Sequence, residues 1–199
     1  DPGALMLQVE PLIHVCAAPD RPDLIEASAT FTAYQWQAWD LLLGRAQPEL
    51  GGHAGAIDLI GVNHYHDAQW ELPSGTALAW NPVHAGRRSV AELLEEAAAR
   101  YQLPMVIAET SNVGSQRVAW LNMITAQTLQ AMAHGVPIQG ICLYPIVDRP
   151  DWNNGAHWHN SGLWDAGEGV DARLRRTLAT AYASELRSSQ SRFASRAAA

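Results

Sequence analysis

Residues 104–112 of this 199-residue chain read PMVIAETSN, a short apolar run that ends in the carboxylate Glu109 and continues into small polar residues. An apolar run bounded by Pro and by a segment rich in Ser, Asn and Gly predicts a strand that is buried on both faces. In parallel α/β folds, reacting groups collect where such strands reach their carboxyl ends. Glu109 is therefore the first candidate for a catalytic residue. The alternative is a structural carboxylate that pairs with an arginine at the strand end.

Strands and helices alternate along the whole chain. The predicted strands cover residues 4–10, 57–63, 104–109 and 138–144, and the predicted helices cover residues 31–43, 89–101, 117–134 and 171–187. Residues 16–30, rich in Ala, Pro and Asp, are predicted to form a loop. Ser89 and Glu92 have the spacing of a capping box, and Gly135 is a typical helix stop.

Four consecutive βα units predict an α/β fold of parallel strands with right-handed crossovers. A complete (β/α)8 barrel of TIM-barrel type needs about 250 residues, so four units correspond to half of one. We expect residues 1–187 to form this half barrel. The remaining residues 188–199, SSQSRFASRAAA, are predicted to be a disordered tail or a linker.

The charge of the chain excludes several classes of partner. The net charge is -7, and all 13 basic residues are Arg. An acidic chain with scattered arginines predicts that neither nucleic acid nor an anionic membrane is a partner. The lack of Lys removes Schiff-base chemistry. Cys16 and Cys142 have no CxxC spacing, and the chain shows no membrane-spanning run or signal peptide, so we expect a cytoplasmic location.

Two long loops, residues 64–88 and 145–169, follow predicted strands and carry five of the eight Trp. Structureless loops of this length are usually functional. The strand ends add carboxylates, an amide and phenols, which are the groups that carbohydrate chemistry requires, while Trp faces suit the apolar side of a sugar ring. The sequence therefore predicts a carbohydrate substrate. The alternative for each Trp is a buried lid over the core.

The spacing His64-x-His66 at a strand end allows a different chemistry. Alternate residues of an extended segment point to one side, so this pair could chelate a divalent metal, and His157-x-His159 repeats the spacing. Barrel hydrolases of the amidohydrolase type commonly use a bridging modified Lys, and this chain has none. We expect no metal and no cofactor, with a metal-dependent barrel hydrolase as the alternative.

Three stretches together resemble glycoside hydrolase family one and its relatives among the retaining glycosidases. IDLIGVNHY at 57–65 resembles the sixth-strand motif D-[FI]-[IL]-G-x-N-[YF]-Y. PMVIAETSN at 104–112 is similar to the seventh-strand motif P-[IL]-x-[IV]-[TA]-E-[NT], whose Glu is the nucleophile. LYPIVDRPDW at 143–152 resembles the eighth-strand motif W-S-L-[LM]-D-N-[FW]-E-W, and SGLWD at 161–165 loosely matches its trailing F-G-L-x-x-D.

The resemblance implies a role for individual residues. Glu109 is placed on the nucleophile, and Tyr65 on the phenol that hydrogen-bonds to it. Asn63 falls on the sixth-strand Asn, Asp151 on the Glu that holds glycone hydroxyls, and Trp152 on the adjacent sugar-contacting Trp.

This chain departs from the eighth-strand motif at three positions. Tyr144 stands where the family has a Trp platform, Pro150 replaces an aromatic residue, and Asp151 is one methylene shorter than the Glu expected there. These changes leave the retaining chemistry in place and the preferred sugar open.

The general acid/base of the family lies in an N-E-P motif on the fourth strand, and this motif is missing here. Val9-Glu10-Pro11 lacks the Asn, and the first strand aligns with the fifth strand of the barrel. We therefore expect the acid/base to come from a missing N-terminal half, and the isolated chain to self-associate and to be inactive. A non-catalytic sugar-binding remnant is the alternative from a different class.

Overall fold

The computed structural model describes residue 1, residues 3–167 and residues 175–197. The chain packs as two compact units, Asp1–Glu109 with Ala131–Cys142 and Thr110–Gln130 with Leu143–Ala199. None of the helices within the described residues is long and apolar enough to cross a membrane.

The strands, in chain order, are β1 (Leu7–Pro11), β2 (His14–Ala17), β3 (Leu59–Asn63), β4 (Gln69–Leu72), β5 (Met105–Thr110), β6 (Ile138–Leu143), β7 (Trp164–Ala166) and β8 (Arg176–Leu178). The α-helices are α1 (Ile25–Ala33), α2 (Gln37–Leu42), α3 (Val90–Tyr101), α4 (Gln116–Ala133) and α5 (Thr180–Ala197). Single 3-10 turns lie at Pro22–Leu24, Tyr34–Trp36 and Pro48–Leu50.

The main sheet has the strand order β1-β3-β5-β6, which is the order of these strands along the chain. β1 pairs with β3 in parallel, from Leu7 opposite Leu59 to Pro11 opposite Asn63, and β3 pairs in parallel with β5. The predicted α/β class with a parallel sheet is confirmed. Within the described residues the sheet remains open, with edges at β1 and β6, and does not close into a barrel.

Local signals explain why β5 and α3 form where the sequence predicts them. The Ser89 side chain accepts a hydrogen bond from the backbone N–H of Glu92, and the Glu92 carboxylate accepts one from the backbone N–H of Ser89. This capping box satisfies two donors that the first turn of a helix leaves without partners. Met105 and Ile107, on one face of β5, are fully buried, whereas Val106 and Ala108 on the other face are half-buried.

An aromatic cluster joins α2 and α3 to the edge strand β1. The Trp39 ring centroid lies 5.5 Å from that of Tyr101, and the Trp36 centroid lies 6.0 Å from it. The Trp39 indole N–H donates to the Gln8 carbonyl at 3.1 Å. This donor is satisfied although Trp39 is fully buried, which is the condition for burying an indole without a penalty.

The prediction for residues 16–43 is wrong in its details. Residues predicted as a loop include the end of β2 and most of α1, and the predicted helix 31–43 is divided among α1, a 3-10 turn and α2. β2 pairs in parallel with β4, so its position depends on a partner more than 50 residues away along the chain. Thr32 of α1 fixes the arrangement, because its hydroxyl accepts the Val15 N–H at 2.9 Å.

The prediction for the C-terminus is also wrong. The sequence predicts a helix at 171–187 followed by a disordered tail, whereas α5 runs from Thr180 to Ala197 after the short strand β8. The predicted helix start falls in residues 168–174, outside the described residues. Buried Ser189 accounts for the extended helix, since its hydroxyl accepts a hydrogen bond from Thr125 at 2.9 Å. Arg192 adds an ion pair with Glu185 at 2.9 Å.

The edge strand β1 generates a prediction about association. Leu5, Met6 and Leu7 are 71%, 59% and 44% exposed beside the open edge of β1. An apolar edge with unpaired N–H and C=O groups is a template for pairing with a second chain, and a Lys at the edge blocks such pairing. We expect the 199-residue chain expressed by itself to self-associate, and Leu7→Lys to raise the Kd of self-association at least about tenfold.

Light scattering and sedimentation of the two proteins measure this difference. Leu50→Lys is the matched control, because Leu50 is 68% exposed and belongs to a 3-10 turn that is not part of the sheet. A monomeric wild-type chain, or equal dissociation by both variants, would contradict the edge as the surface of association.

Candidate active site

The carboxyl ends of β3 and β5 lie side by side in the first unit. Asn63, the last residue of β3, is the register partner of Glu109, and the register shifts between Val62 and Asn63. The backbone N–H of His64 donates to the Glu109 carbonyl at 3.0 Å. These ladder contacts fix the strand ends, so the side chains that follow them have defined positions.

Tyr65 and Glu109 contact each other directly. The Tyr65 hydroxyl donates a hydrogen bond of 2.9 Å to Oε2 of Glu109, and both side chains are half-buried. Among the described residues, no arginine pairs with Glu109, so the alternative of a strand-end ion pair is not what the structure contains. A carboxylate held by one phenol keeps its second oxygen available, which suits a nucleophile.

Asn63 adds an amide at the same strand end. Its carbonyl accepts the Leu12 N–H at 2.9 Å, and its side-chain Oδ1 is buried without a hydrogen-bond partner within the described residues. Buried polar atoms in folded proteins are nearly always hydrogen-bonded to protein, water or ligand. The amide is therefore suited to accept a hydrogen bond from a hydroxyl group that enters the site.

His64 braces this site. It is fully buried, and its Nδ1 lies 2.7 Å from the Leu12 carbonyl; because a carbonyl only accepts, Nδ1 carries the proton. Burial lowers the pKa of His64 to about 4, so the ring is neutral near pH 7. The ring thereby connects the segment after β1 to the segment after β3.

Both residues of His64-x-His66, the predicted alternative as a metal site, make contacts with the surrounding protein. Nδ1 of His64 donates to the Leu12 carbonyl, and the His66 backbone carbonyl accepts from Arg87 Nη1 at 2.9 Å. In the part of the chain that the structure describes, no three His, Cys, Asp or Glu side chains are grouped to hold a metal ion.

Glu10 lies within β1 as a residue of the sheet. It is opposite Val62 in the register, and its Oε1 accepts a hydrogen bond of 2.6 Å from Gln8. The interpretation of Glu10 as a strand residue agrees with this placement.

In the second unit, the segment after β6 is organised around Asp148. Asp148 is 2% exposed, and its carboxylate accepts hydrogen bonds from the backbone N–H groups of Ser161 at 2.9 Å and Asn160 at 3.2 Å. Gly162 allows this close approach, because a Cβ there would lie 2.4 Å from the Asp148 nitrogen. Asp148 therefore holds the two ends of the 148–162 loop together.

Asp151, a predicted sugar ligand, is held by its own loop. It accepts from the backbone N–H groups of Asn153 at 2.7 Å and Asn154 at 3.0 Å, and from Nε2 of His159 at 2.9 Å. The hydrogen bond from the Asn153 N–H, followed by those from Asn154 and His159, lowers the pKa of Asp151. The Asp151 carboxylate thus stabilises its own loop. Only its remaining lone pairs can accept a hydrogen bond from a ligand.

Tyr144 and Trp152 both contact a residue that the sequence analysis did not single out. The Arg149 guanidinium is 5.7 Å from the centroid of the Tyr144 ring and 4.7 Å from that of Trp152. Trp152 is 80% exposed, and the Tyr144 backbone N–H donates to the Thr110 carbonyl at 3.2 Å. The sequence feature that could have indicated Arg149 is its position inside an aromatic-rich loop. The charge pattern does not indicate it, because the arginines are spread along the chain.

Arg117 and Asp165 form a second structural pair that the sequence did not reveal. Arg117 is buried at the start of α4, and its guanidinium donates to both Asp165 oxygens, at 2.7 and 3.2 Å. The same guanidinium donates to the Gly162 carbonyl at 2.5 Å. A bidentate pair of this kind fixes geometry as well as charge. It secures the segment that enters β7.

The described residues thus define an α/β chain with a parallel sheet and a hydrogen-bonded Tyr and Glu pair at its strand ends. No family model and no curated protein matches the sequence. Solved structures do match its fold.

A family 1 β-glucosidase from Thermotoga maritima, in complex with isofagomine lactam, has a TM-score of 0.66 and 16% identity, with coverage of 92% of this chain and 50% of that chain. A β-glucosidase mutant derived from a hyperthermophilic tetrameric structure has a TM-score of 0.68 and 15% identity, with coverage of 94% of this chain and 42% of that chain. This chain therefore spans about half the length of these β-glucosidases and shares the fold of that half.

The buried His64 predicts a pH dependence of stability. Its folded pKa of about 4 lies below the ordinary value near 6.5, so the unfolded chain binds a proton that the folded chain does not. Stability is fully present above pH 6.5 and is lost as pH falls from 6.5 to about 4. We expect His64 to account for a loss of about 2 kcal/mol between pH 7 and pH 5.

Urea unfolding of the wild type and of His64→Asn at pH 7 and pH 5 measures how much His64 contributes to this loss of stability. Asn keeps an N–H donor for the Leu12 carbonyl and cannot titrate, so the loss between the two pH values should shrink by that amount. His53→Asn is the control, because His53 is exposed. An unchanged pH dependence in His64→Asn would show that His64 is not neutral in the fold.

Proposed function

We propose that this chain is the C-terminal half of the (β/α)8 barrel of a retaining β-glycosidase, and that Glu109 is the nucleophile. The observation that carries the proposal is the 2.9 Å hydrogen bond from Tyr65 to Glu109 at the ends of two neighbouring strands. The similarity of fold to family 1 β-glucosidases, and the three motifs in order, support it.

In the proposed reaction, a Glu109 carboxylate oxygen attacks the anomeric carbon of a β-linked sugar. The bond from that carbon to the leaving oxygen breaks, and the leaving oxygen takes a proton from a general acid. Water then attacks the glycosyl-enzyme ester with the same group acting as base, which returns the carboxylate and releases a sugar of retained configuration.

Tyr65 is proposed to orient the nucleophile. Its hydroxyl holds one carboxylate oxygen and leaves the other to attack. A hydrogen bond to a charged group contributes about 1.5–3 kcal/mol, so this contact is large enough to matter for the rate.

The remaining predicted residues are proposed as sugar contacts, each described within its own unit. In the first unit, the buried Oδ1 of Asn63 is the acceptor for a hydroxyl. In the second unit, the exposed Trp152 offers a ring face to the apolar side of a sugar, with Tyr144 and the free lone pairs of Asp151 as further contacts.

The general acid is proposed to lie in polypeptide outside these 199 residues, on the strands that would complete the barrel beside β1. The open edges of the sheet and the coverage of about half of each similar β-glucosidase support this inference. General acid catalysis typically contributes about 10²–10⁴-fold, so the chain by itself should not turn over unactivated glycosides.

Covalent trapping tests the nucleophile. A 2-deoxy-2-fluoro β-glycoside with an activated leaving group should label the full-length protein at Glu109, because the fluorine slows both formation and hydrolysis of the glycosyl ester while the activated leaving group restores its formation. Peptide mapping by mass spectrometry locates the label. Glu109→Gln should abolish labelling, whereas Glu49→Gln, at an exposed position in a 3-10 turn, should label normally. Label on another residue would refute the assignment, and a protein that binds sugar without any label would favour the non-catalytic alternative.

Tyr65→Phe tests the orienting hydrogen bond. Removal of the hydroxyl keeps the ring and should lower kcat/KM about 10- to 100-fold, since the lost contact is a hydrogen bond to a charged group. Steady-state hydrolysis of an aryl glycoside measures the effect. Tyr34→Phe, at a 53% exposed tyrosine, is the matched control and should retain wild-type activity. Equal kinetics for wild type and Tyr65→Phe would mean that Tyr65 has no part in the reaction.

A further inference from the structure

The loop after β6 holds a guanidinium near two aromatic rings. Arg149 lies 4.7 Å from the Trp152 centroid and 5.7 Å from the Tyr144 centroid, and its Nη1 donates to the Pro150 carbonyl at 2.9 Å. Its Nε is buried without a hydrogen-bond partner among the described residues. Stacking on ring faces restricts a side chain that is otherwise flexible, so this guanidinium is positioned before any ligand arrives.

The nearby carboxylates do not account for this charge. Asp148 is bonded to the N–H groups of Asn160 and Ser161, and Asp151 is bonded to His159 and to the N–H groups of its own turn. Within the described residues, Arg149 forms no ion pair. A half-buried guanidinium with aromatic neighbours and no anion is an arrangement that an incoming anion completes.

A second cation lies over another ring of the same loop. Arg176 is exposed, and its guanidinium is 5.5 Å from the Trp158 centroid. Trp158 forms an isolated β-bridge with Pro150, the residue after Arg149. Two arginines, one in this loop and one in β8, therefore lie over tryptophan rings of the loop, with no carboxylate paired to either in the described part of the chain.

We propose that Arg149 selects an anionic sugar, with a carboxylate or a phosphate ester on the glycone as its ligand. The planar guanidinium can give two parallel hydrogen bonds to either group, while the exposed face of Trp152 contacts the ring of the same sugar. The proposal rests on the proposed function, because it names the substrate class of that glycosidase. The eighth-strand motif quoted above has Asn where this chain has Arg149, so the cation distinguishes this chain from that motif.

Three aryl β-glycosides distinguish the possible ligands: a neutral glucoside, a glucuronide and a 6-phosphoglucoside. We expect the full-length protein to hydrolyse one of the two charged substrates with a kcat/KM at least about tenfold above that of the glucoside. The charged substrate that is preferred identifies the carboxylate or the phosphate as the ligand. Arg149→Gln should lower kcat/KM for that substrate about 10- to 100-fold. It should lower kcat/KM for the neutral substrate by much less, so the preference disappears.

Two further variants separate charge from geometry. Arg149→Lys keeps the charge without the planar fork and should restore only part of the preference. Arg187→Gln removes an exposed arginine of α5 and should leave kcat/KM for all three substrates unchanged. Preference for the neutral glucoside, or an equal loss on all three substrates in Arg149→Gln, would overturn the proposal.

Binding measured without turnover separates this proposal from the proposed nucleophile. Calorimetric titration of the full-length protein with glucuronate, glucose 6-phosphate and glucose should show the tightest binding for one charged sugar, and Arg149→Gln should abolish that difference. If this selectivity is present but no glycoside is hydrolysed, the proposed catalytic role of Glu109 is refuted and the proposed anion site is supported. If glucose binds as well as both charged sugars, the anion site is overturned whatever the activity.

Discussion

The parallel pairing of β3 with β5 is the constraint on which the candidate site depends. It places Asn63 opposite Glu109, and one further ladder bond, from the His64 N–H to the Glu109 carbonyl, fixes the direction of the chain beyond β3. Tyr65 follows immediately and reaches the Glu109 carboxylate at 2.9 Å. Backbone hydrogen bonds at the strand ends therefore help to position a phenol and a carboxylate that are 44 residues apart in the sequence. Displacement of either strand end would separate them.

His64 shows what it costs to hold this geometry. The imidazole is fully buried, and its burial penalises the protonated form. In return its Nδ1–H satisfies the Leu12 carbonyl where regular pairing of β1 has ended. Local spacing in the sequence does not reveal this contact, because it does not show which backbone group a side chain meets.

Sequence reasoning succeeded where the signal was local and failed where it was not. The strand at β5 and the capped helix α3 follow from an apolar run and from the spacing of Ser89 and Glu92. The helix α5 depends instead on buried Ser189 and its hydrogen bond with Thr125, 64 residues away. No pattern within residues 188–199 predicts that contact. Similarly, β2 forms only because β4 pairs with it. For the site, the motifs predicted the contact between Tyr65 and Glu109. The stacking of Arg149 depends on loop geometry and was not predicted.

The most direct test of the account is the configuration of the sugar that is released first. Proton NMR of the full-length protein acting on an aryl β-glycoside resolves the two anomers before mutarotation mixes them. Attack by Glu109 followed by attack of water predicts that the β-anomer accumulates first. Initial accumulation of the α-anomer would contradict the account, because it would require direct displacement by water and would leave Glu109 no role as a nucleophile.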